Sequence, residues 1–265
     1  MFSSHQYNEA QSLDLYLVDQ PGRPLVVCLH GGGFNAGHRD DERCRQAAAL
    51  LTKAGFNCAS LSYSLGCSGN RFSMWPRNLF DVADAISFLH DHADVFGYQF
   101  KRFGMFGFSA GCCLSNLYMQ GGEDIFNHLQ YRTRTFRPAG LVGFYGPYDF
   151  PSRQSSRRSE DDNLNLLHSP SYWLKRNAFP ELPPVLHVQG DMDDIVTPDQ
   201  HAAFEADYRK RGHCFRAIIA KGFGHSFAPR DCNALGQTID IGTEITGFFS
   251  ACLIEEADAG AGCSE

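Results

Sequence analysis

Between Gly107 and Gly111 stand Phe108, Ser109 and Ala110, and the chemistry such a stretch could do turns on the serine. A hydroxyl is a weak nucleophile at neutral pH. Ser109 can attack a carbonyl only where a base takes its proton and an acid holds that base in the right tautomer. Both residue types follow in chain order. His225 lies in GFGHSF, on a glycine-flexible loop after the apolar run FRAIIAK, and of the 11 histidines it is the one best placed behind a late strand. The acid comes from QGDMDDIVTP, where three aspartates compete. Asp193 stands three residues past Gly190 and just ahead of the apolar pair Ile195-Val196, which would tuck the loop down; Asp194 fits when the loop is counted back from Pro198, and Asp191 fits least. A fourth requirement is a set of donors for the charge that develops on the substrate oxygen. HGGGF, residues 30 to 34, follows the run VVCLH with bare backbone that side chains would otherwise obstruct, so the amides of Gly32 and Gly33, together with that of Ala110, are the candidate oxyanion hole. The same loop lacks the lysine and spacing of a phosphate-binding loop.

These residues need elements to position them. Leu25 to Leu29, Phe56 to Leu61, Arg102 to Phe108, Leu141 to Tyr145, Val185 to Gln189 and Phe215 to Ala220 are short, apolar and bounded by Gly or Pro, which predicts buried strands. Helix signals lie between them. Asp40-Asp41-Glu42 opens a stretch that stops at Gly55; Pro76 opens another whose Leu79, Val82, Ala83, Ile86 and Leu89 recur at three- and four-residue spacing up to Gly97. Further helices are predicted after GFSAG, from Pro198 to Gly212 and over roughly 232 to 253. Strand and helix alternating this often predict an α/β fold with a mostly parallel central sheet and helices on both faces, within a single domain spanning 1–265. Ser109 then falls on a sharp strand-to-helix turn, the geometry of a nucleophile elbow. Residues 151–167 are rich in serine and mixed charge, and the wider segment 147–182 could form a small lid insertion. The tail from 255 is predicted to fray.

Composition excludes other classes. A net charge of −7 spread along the chain disfavours nucleic acid and acidic membranes as partners. No apolar run of about 18 residues is present, as a membrane-spanning helix would need, nor a basic leader. Several of the ten cysteines, Cys28, Cys58, Cys112 and Cys113 among them, fall in or beside predicted core, which points to reduced thiols and a cytoplasmic protein. There is no C-x-x-C or H-E-x-x-H spacing, so no metal is expected. Phe34, Trp75, Tyr145 and Phe227, with Tyr148, stand near strand ends or motif residues, where they could line an acyl or alcohol pocket or simply fill core. The pattern specifies no oligomeric state.

HGGGF, GFSAG, the D-x-I-V loop and GFGHSF in this order resemble the α/β-hydrolase fold over about residues 25 to 250. Within it, the likeness is to HGGG-bearing serine esterases related to the hormone-sensitive lipase, acetyl-xylan and feruloyl esterase groups. The resemblance implies hydrolysis of carboxylic esters through an acyl-serine intermediate, with no cofactor and a small-molecule ester as substrate. Two departures stand out. Phe108 and Cys112 occupy positions where the hormone-sensitive-lipase group usually has an acidic residue and a glycine, and only some 24 residues precede the first core strand. The short lead implies the absence of a large lipase-like cap, and GFSAG followed by a helix, together with the compact length, brings the chain closer to small-acyl esterases and to the arylformamidases that open N-formylkynurenine. A non-catalytic small-molecule receptor on the same fold would have lost the histidine that GFGHSF retains.

Overall fold

The computed structural model describes residues 1–67, 69–150, 166–176 and 181–254. Eight strands, β1 (Phe2–Gln6), β2 (Ser12–Tyr16), β3 (Pro24–Leu29), β4 (Asn57–Leu61), β5 (Gln99–Phe108), β6 (Gly140–Phe144), β7 (Val185–Gly190) and β8 (Phe215–Ala220), form one sheet in the order β1-β2-β4-β3-β5-β6-β7-β8. From β4 through β8 every pairing is parallel. Those six strands are the predicted ones. They read clearly because a parallel strand covered on both faces is a nearly continuous apolar run, and β3, β4, β6 and β7 are buried along their whole length.

The antiparallel pair β1 and β2 extends the sheet at one edge. FSSHQ alternates exposed and half-buried positions with few apolar residues, so the sequence alone gave no strand signal there.

Seven helices are described: α1 (Glu42–Lys53), α2 (Arg77–Asp91), α3 (Ala93–Phe96), α4 (Ala110–His128), α5 (Pro170–Arg176), α6 (Pro198–Lys210) and α7 (Gly242–Leu253). They cover both faces. Leu79, Val82, Leu117, Trp173 and Phe204 pack one core under α2, α4, α5 and α6; Cys44, Ala47, Ile245 and Phe248 pack the other under α1 and α7. Two helix predictions are corrected. The stretch from Pro76 to Gly97 breaks at His92 into α2 and α3, and Gly97 closes it in the left-handed region. The stretch 232 to 253 is helical only from Gly242, because Arg230–Cys232 and Thr238–Asp240 pair as a hairpin, β9 with β10. Asn233 closes that turn by accepting the Leu235 and Gln237 N–H groups, both at 3.0 Å, the local side-chain bonding that competes with helix. Of the predicted insertion, 151–165 and 177–180 lie outside the described residues, as does the tail 255–265. The described part contains α5, which packs against α4 and α6 with Trp173 and Leu174 buried.

Candidate active site

Strand β5 ends at Phe108 and α4 begins at Ala110, so one residue must turn the chain. Ser109 does so at φ 48°, ψ −114°, and its N–H donates to Phe144 O on the neighbouring strand at 2.9 Å. The bend closes only with glycine on either side. A Cβ at Gly107 would stand 2.6 Å from Cys112 Cα, and one at Gly111 would stand 2.3 Å from Leu29 O of β3. The serine hydroxyl is thereby lifted above the carboxyl ends of the parallel strands, where ligands of such sheets bind.

Two loops at the same end of the sheet bring in the other groups. The loop after β7 carries Asp193, the loop after β8 carries His225, and the two are stitched together by Met192 N–H to Phe223 O (3.0 Å) and Gly222 N–H to the Asp191 side chain (2.7 Å). Ser109 Oγ lies 2.9 Å from His225 Nε2, and His225 Nδ1 lies 2.8 Å from Asp193 Oδ2. Asp194 and Asp191 are exposed, whereas the Asp193 side chain has no exposed surface. Burial alone would raise the Asp193 carboxyl, but the hydrogen bond from His225 and those from the Val196 and Ile195 amides outweigh it and hold the group below its ordinary value of 3.8. It is therefore an anion at neutral pH.

The HGGGF loop closes over the serine. A Cβ built at Gly31 would lie 3.3 Å from Ser109 Cβ, and Gly32 and Gly33 adopt φ 112° and 60°. Among the described residues no hydrogen bond occupies the Gly32, Gly33 or Ala110 N–H groups; Ala110 follows the serine in the chain, and Gly32 and Gly33 follow Gly31. His30 braces the loop from beneath: its Nδ1 meets Gly31 O at 2.6 Å, Tyr63 stacks on its ring at 4.2 Å, and the Tyr63 hydroxyl donates to His30 O at 2.8 Å. Burial pushes the His30 imidazole down to about 4, so Nδ1 carries the one proton of a neutral ring and donates it to that carbonyl.

The four aromatic residues singled out in the sequence divide into two pairs. Tyr145 and Phe227 pack in the core behind the imidazole: the Tyr145 ring lies 4.7 Å from His225 and its hydroxyl donates to Phe227 O at 2.7 Å. Phe34 and Trp75 sit on the other side, around His168, at 4.6 and 4.3 Å between ring centroids. Phe72 and Phe150 complete that cluster. Tyr148 lies deeper, its hydroxyl on His187. Among the described residues no group of three His, Cys, Asp or Glu side chains could hold a metal ion. Sequence reasoning missed His168 and Gln189. Both are polar residues in buried positions, which is the signal that could have found them.

A nucleophile, a base and an acid in one hydrogen-bonded line beside unoccupied amides can carry acyl transfer. The BD-FAE family model matches residues 13–208, about three quarters of the chain. The chain belongs to the BD-FAE family. Among curated proteins this BD-FAE chain is similar to esterase LipC of Mycobacterium tuberculosis, at 27% identity over 86% of the chain and 60% of LipC. It is also similar to the acetyl esterase of Salmonella schwarzengrund, at 23% over 69% and 59% respectively. It thus spans about three fifths of the length of the curated relatives it matches. Among solved structures, propionate-bound esterase 2 of Thermogutta terrifontis superposes with a TM-score of 0.77 at 17% identity, covering 97% of both chains. The fold is that of the α/β hydrolases.

Proposed function

We propose that the protein is a serine carboxylesterase that cleaves small-acyl esters through an acyl-serine intermediate. Ser109 gives its proton to His225 Nε2 as Oγ attacks the carbonyl. The amides of Gly32, Gly33 and Ala110 receive the oxyanion, and Asp193 stabilises the imidazolium without taking its proton. His225 then protonates the departing alcohol and later activates the water that releases the acyl group. The observation that carries this reading is the unbroken line from Ser109 Oγ through His225 to Asp193, at 2.9 and 2.8 Å. Two relatives that bear esterase in their names support it. A fluorophosphonate should label Ser109 in the folded protein and fail to label Ser109→Ala; no adduct on the wild type would refute the reading.

A small acyl group is the preferred one. Phe34, Trp75, Phe72 and Phe150 crowd His168 next to the oxyanion loop, and we assign Phe34 and Trp75 to the wall that limits chain length. In a series of p-nitrophenyl esters, acetate to butyrate should give the highest kcat/KM, and a maximum at decanoate or beyond would contradict this wall. N-formylkynurenine assayed beside p-nitrophenyl acetate tests the bond cleaved: much faster turnover of the formamide would make the enzyme an amidase acting through the same triad. A reducing, cytoplasmic setting belongs to the same proposal, supported by the buried Cys28, Cys44, Cys58, Cys112 and Cys113, none of which is in a disulfide.

A further inference from the structure

Gln189 is the penultimate residue of β7 and is fully buried. Its side chain reaches the acid loop. Nε2 donates to Val196 O at 2.9 Å and to Asp193 Oδ2 at 3.0 Å, one amide hydrogen for each, with Gly190 O more distant at 3.3 Å. The reverse orientation would set Oε1 against two acceptors, so the amide can face the carboxylate only as a donor. Asp193 Oδ1 is meanwhile held by the Ile195 and Val196 N–H groups, both at 2.9 Å. Val196 thus grips the carboxylate through its N–H and anchors Gln189 through its carbonyl, closing a ring of hydrogen bonds. At the far end of the amide, Oε1 is buried with no partner among the described residues. That is a desolvation cost an apolar side chain would not carry, and the contact of Nε2 with the carboxylate is what offsets it.

We propose that Gln189 is a positioning residue of the triad, fixing the Asp193 carboxylate so that Oδ2 faces His225 Nδ1. The inference rests on the triad reading above. Without Gln189, Oδ2 would be restrained only by the imidazole it has to orient, and both groups could turn together away from Ser109. Oδ2 would also lose a donor that spreads its charge. The other ionisable groups near the pair are Tyr145 against the imidazole, kept protonated by burial, Arg43 and Asp231, which act on Tyr145, and the exposed Asp191 and Asp194 of the acid loop.

The test is Gln189→Met, which keeps length and bulk and removes the donor. On p-nitrophenyl acetate kcat should fall roughly 10- to 100-fold, the scale of a misplaced catalytic group, with KM within about twofold. In an Asp193→Asn background the same change should add little, because there is no carboxylate left to hold. A folded Gln189→Met with wild-type kcat overturns the proposal, as does an equal loss in both backgrounds. Should Gln189→Met fail to fold, Gln189→Asn, with its amide drawn back by one methylene, reads the same quantities by the same criteria. Fluorophosphonate labelling of the wild type separates the two readings. An unlabelled Ser109 removes the triad and this inference with it, whereas a labelled wild type beside an unaffected variant removes the inference alone.

Discussion

Ser109 holds a backbone conformation that an L-residue adopts at a cost, and it has company. Five residues other than glycine have positive φ in the described chain, and four of them, Phe34, Ser109, Tyr145 and Ser226, belong to the HGGGF loop, the elbow, the support behind the imidazole and the position after His225. Strain of about 1 to 3 kcal/mol per residue persists only where the surroundings over-determine it, and here those surroundings are the loops that set the candidate site. Ser109→Gly should therefore raise the unfolding free energy by about 1 kcal/mol while abolishing hydrolysis. Urea unfolding of the two proteins checks this; a variant no more stable than the wild type would mean that the elbow stores no strain at the serine. At this scale the motif residues were legible because their types and order are dictated by the chemistry. Gln189 was not, and Tyr145, offered by the sequence as a pocket or core residue, packs behind the imidazole. Gln189 acts through the folded shape of the loop that follows its strand and Tyr145 through the loop after β8, and a glutamine near the end of a strand has no pattern of its own.

The elbow as an element is a close approach of two backbones. The first turn of α4 passes so near the end of β3 that a methyl group at Gly111 would meet both Leu29 O and His30 O, at 2.3 and 2.5 Å. Neither carbonyl can retreat, because Leu29 lies in a central strand paired on both sides and His30 leads into the oxyanion loop. Gly111→Ala should accordingly destabilise by about 3 kcal/mol or more, the upper range for overpacking, and what folds should hydrolyse poorly because the shift carries the oxyanion loop away from Ser109. A denaturation midpoint close to wild type would show that β3 and α4 can part cheaply. Elements differed in legibility for a related reason. The six central strands and α1, α2, α4 and α6 announce themselves because burial on two faces, or on one helical stripe, forces a hydrophobic period. The edge pair β1 and β2 and the hairpin β9 and β10 bury little, and the hairpin is set by the Asn233 turn, so hydrophobic patterning could not find them.

Across the whole molecule the buried histidines make stability depend on pH. His30 in the oxyanion loop and His168 in the aromatic cluster are pushed down by burial, to about 4 and about 3 from an ordinary value of 6.5, and burial lowers His187 and His201 between β7 and α6 as well. Between pH 6.5 and 4 the unfolded chain binds protons on these rings that the folded protein does not. Unfolding thus takes up protons, and stability falls as the pH is lowered. Each fully affected histidine contributes about 1.4 kcal/mol per pH unit below 6.5, so His30 and His168 together should cost about 4 kcal/mol between pH 7 and pH 5. The Asp193 carboxylate adds its own loss only below about pH 4, where the unfolded group would begin to protonate. Urea unfolding at pH 7, 6 and 5 measures the slope, and His168→Phe, which keeps a ring among Phe34, Phe72, Trp75 and Phe150, should recover about 2 kcal/mol of the loss, the share of that one ring. An unfolding free energy constant from pH 7 to 5 would show that water or relaxation reaches these rings in the native state. If the slope holds, any hydrolysis lost at pH 5 reports a weakened fold as well as altered chemistry, and only stability measured alongside the pH-rate profile separates the two.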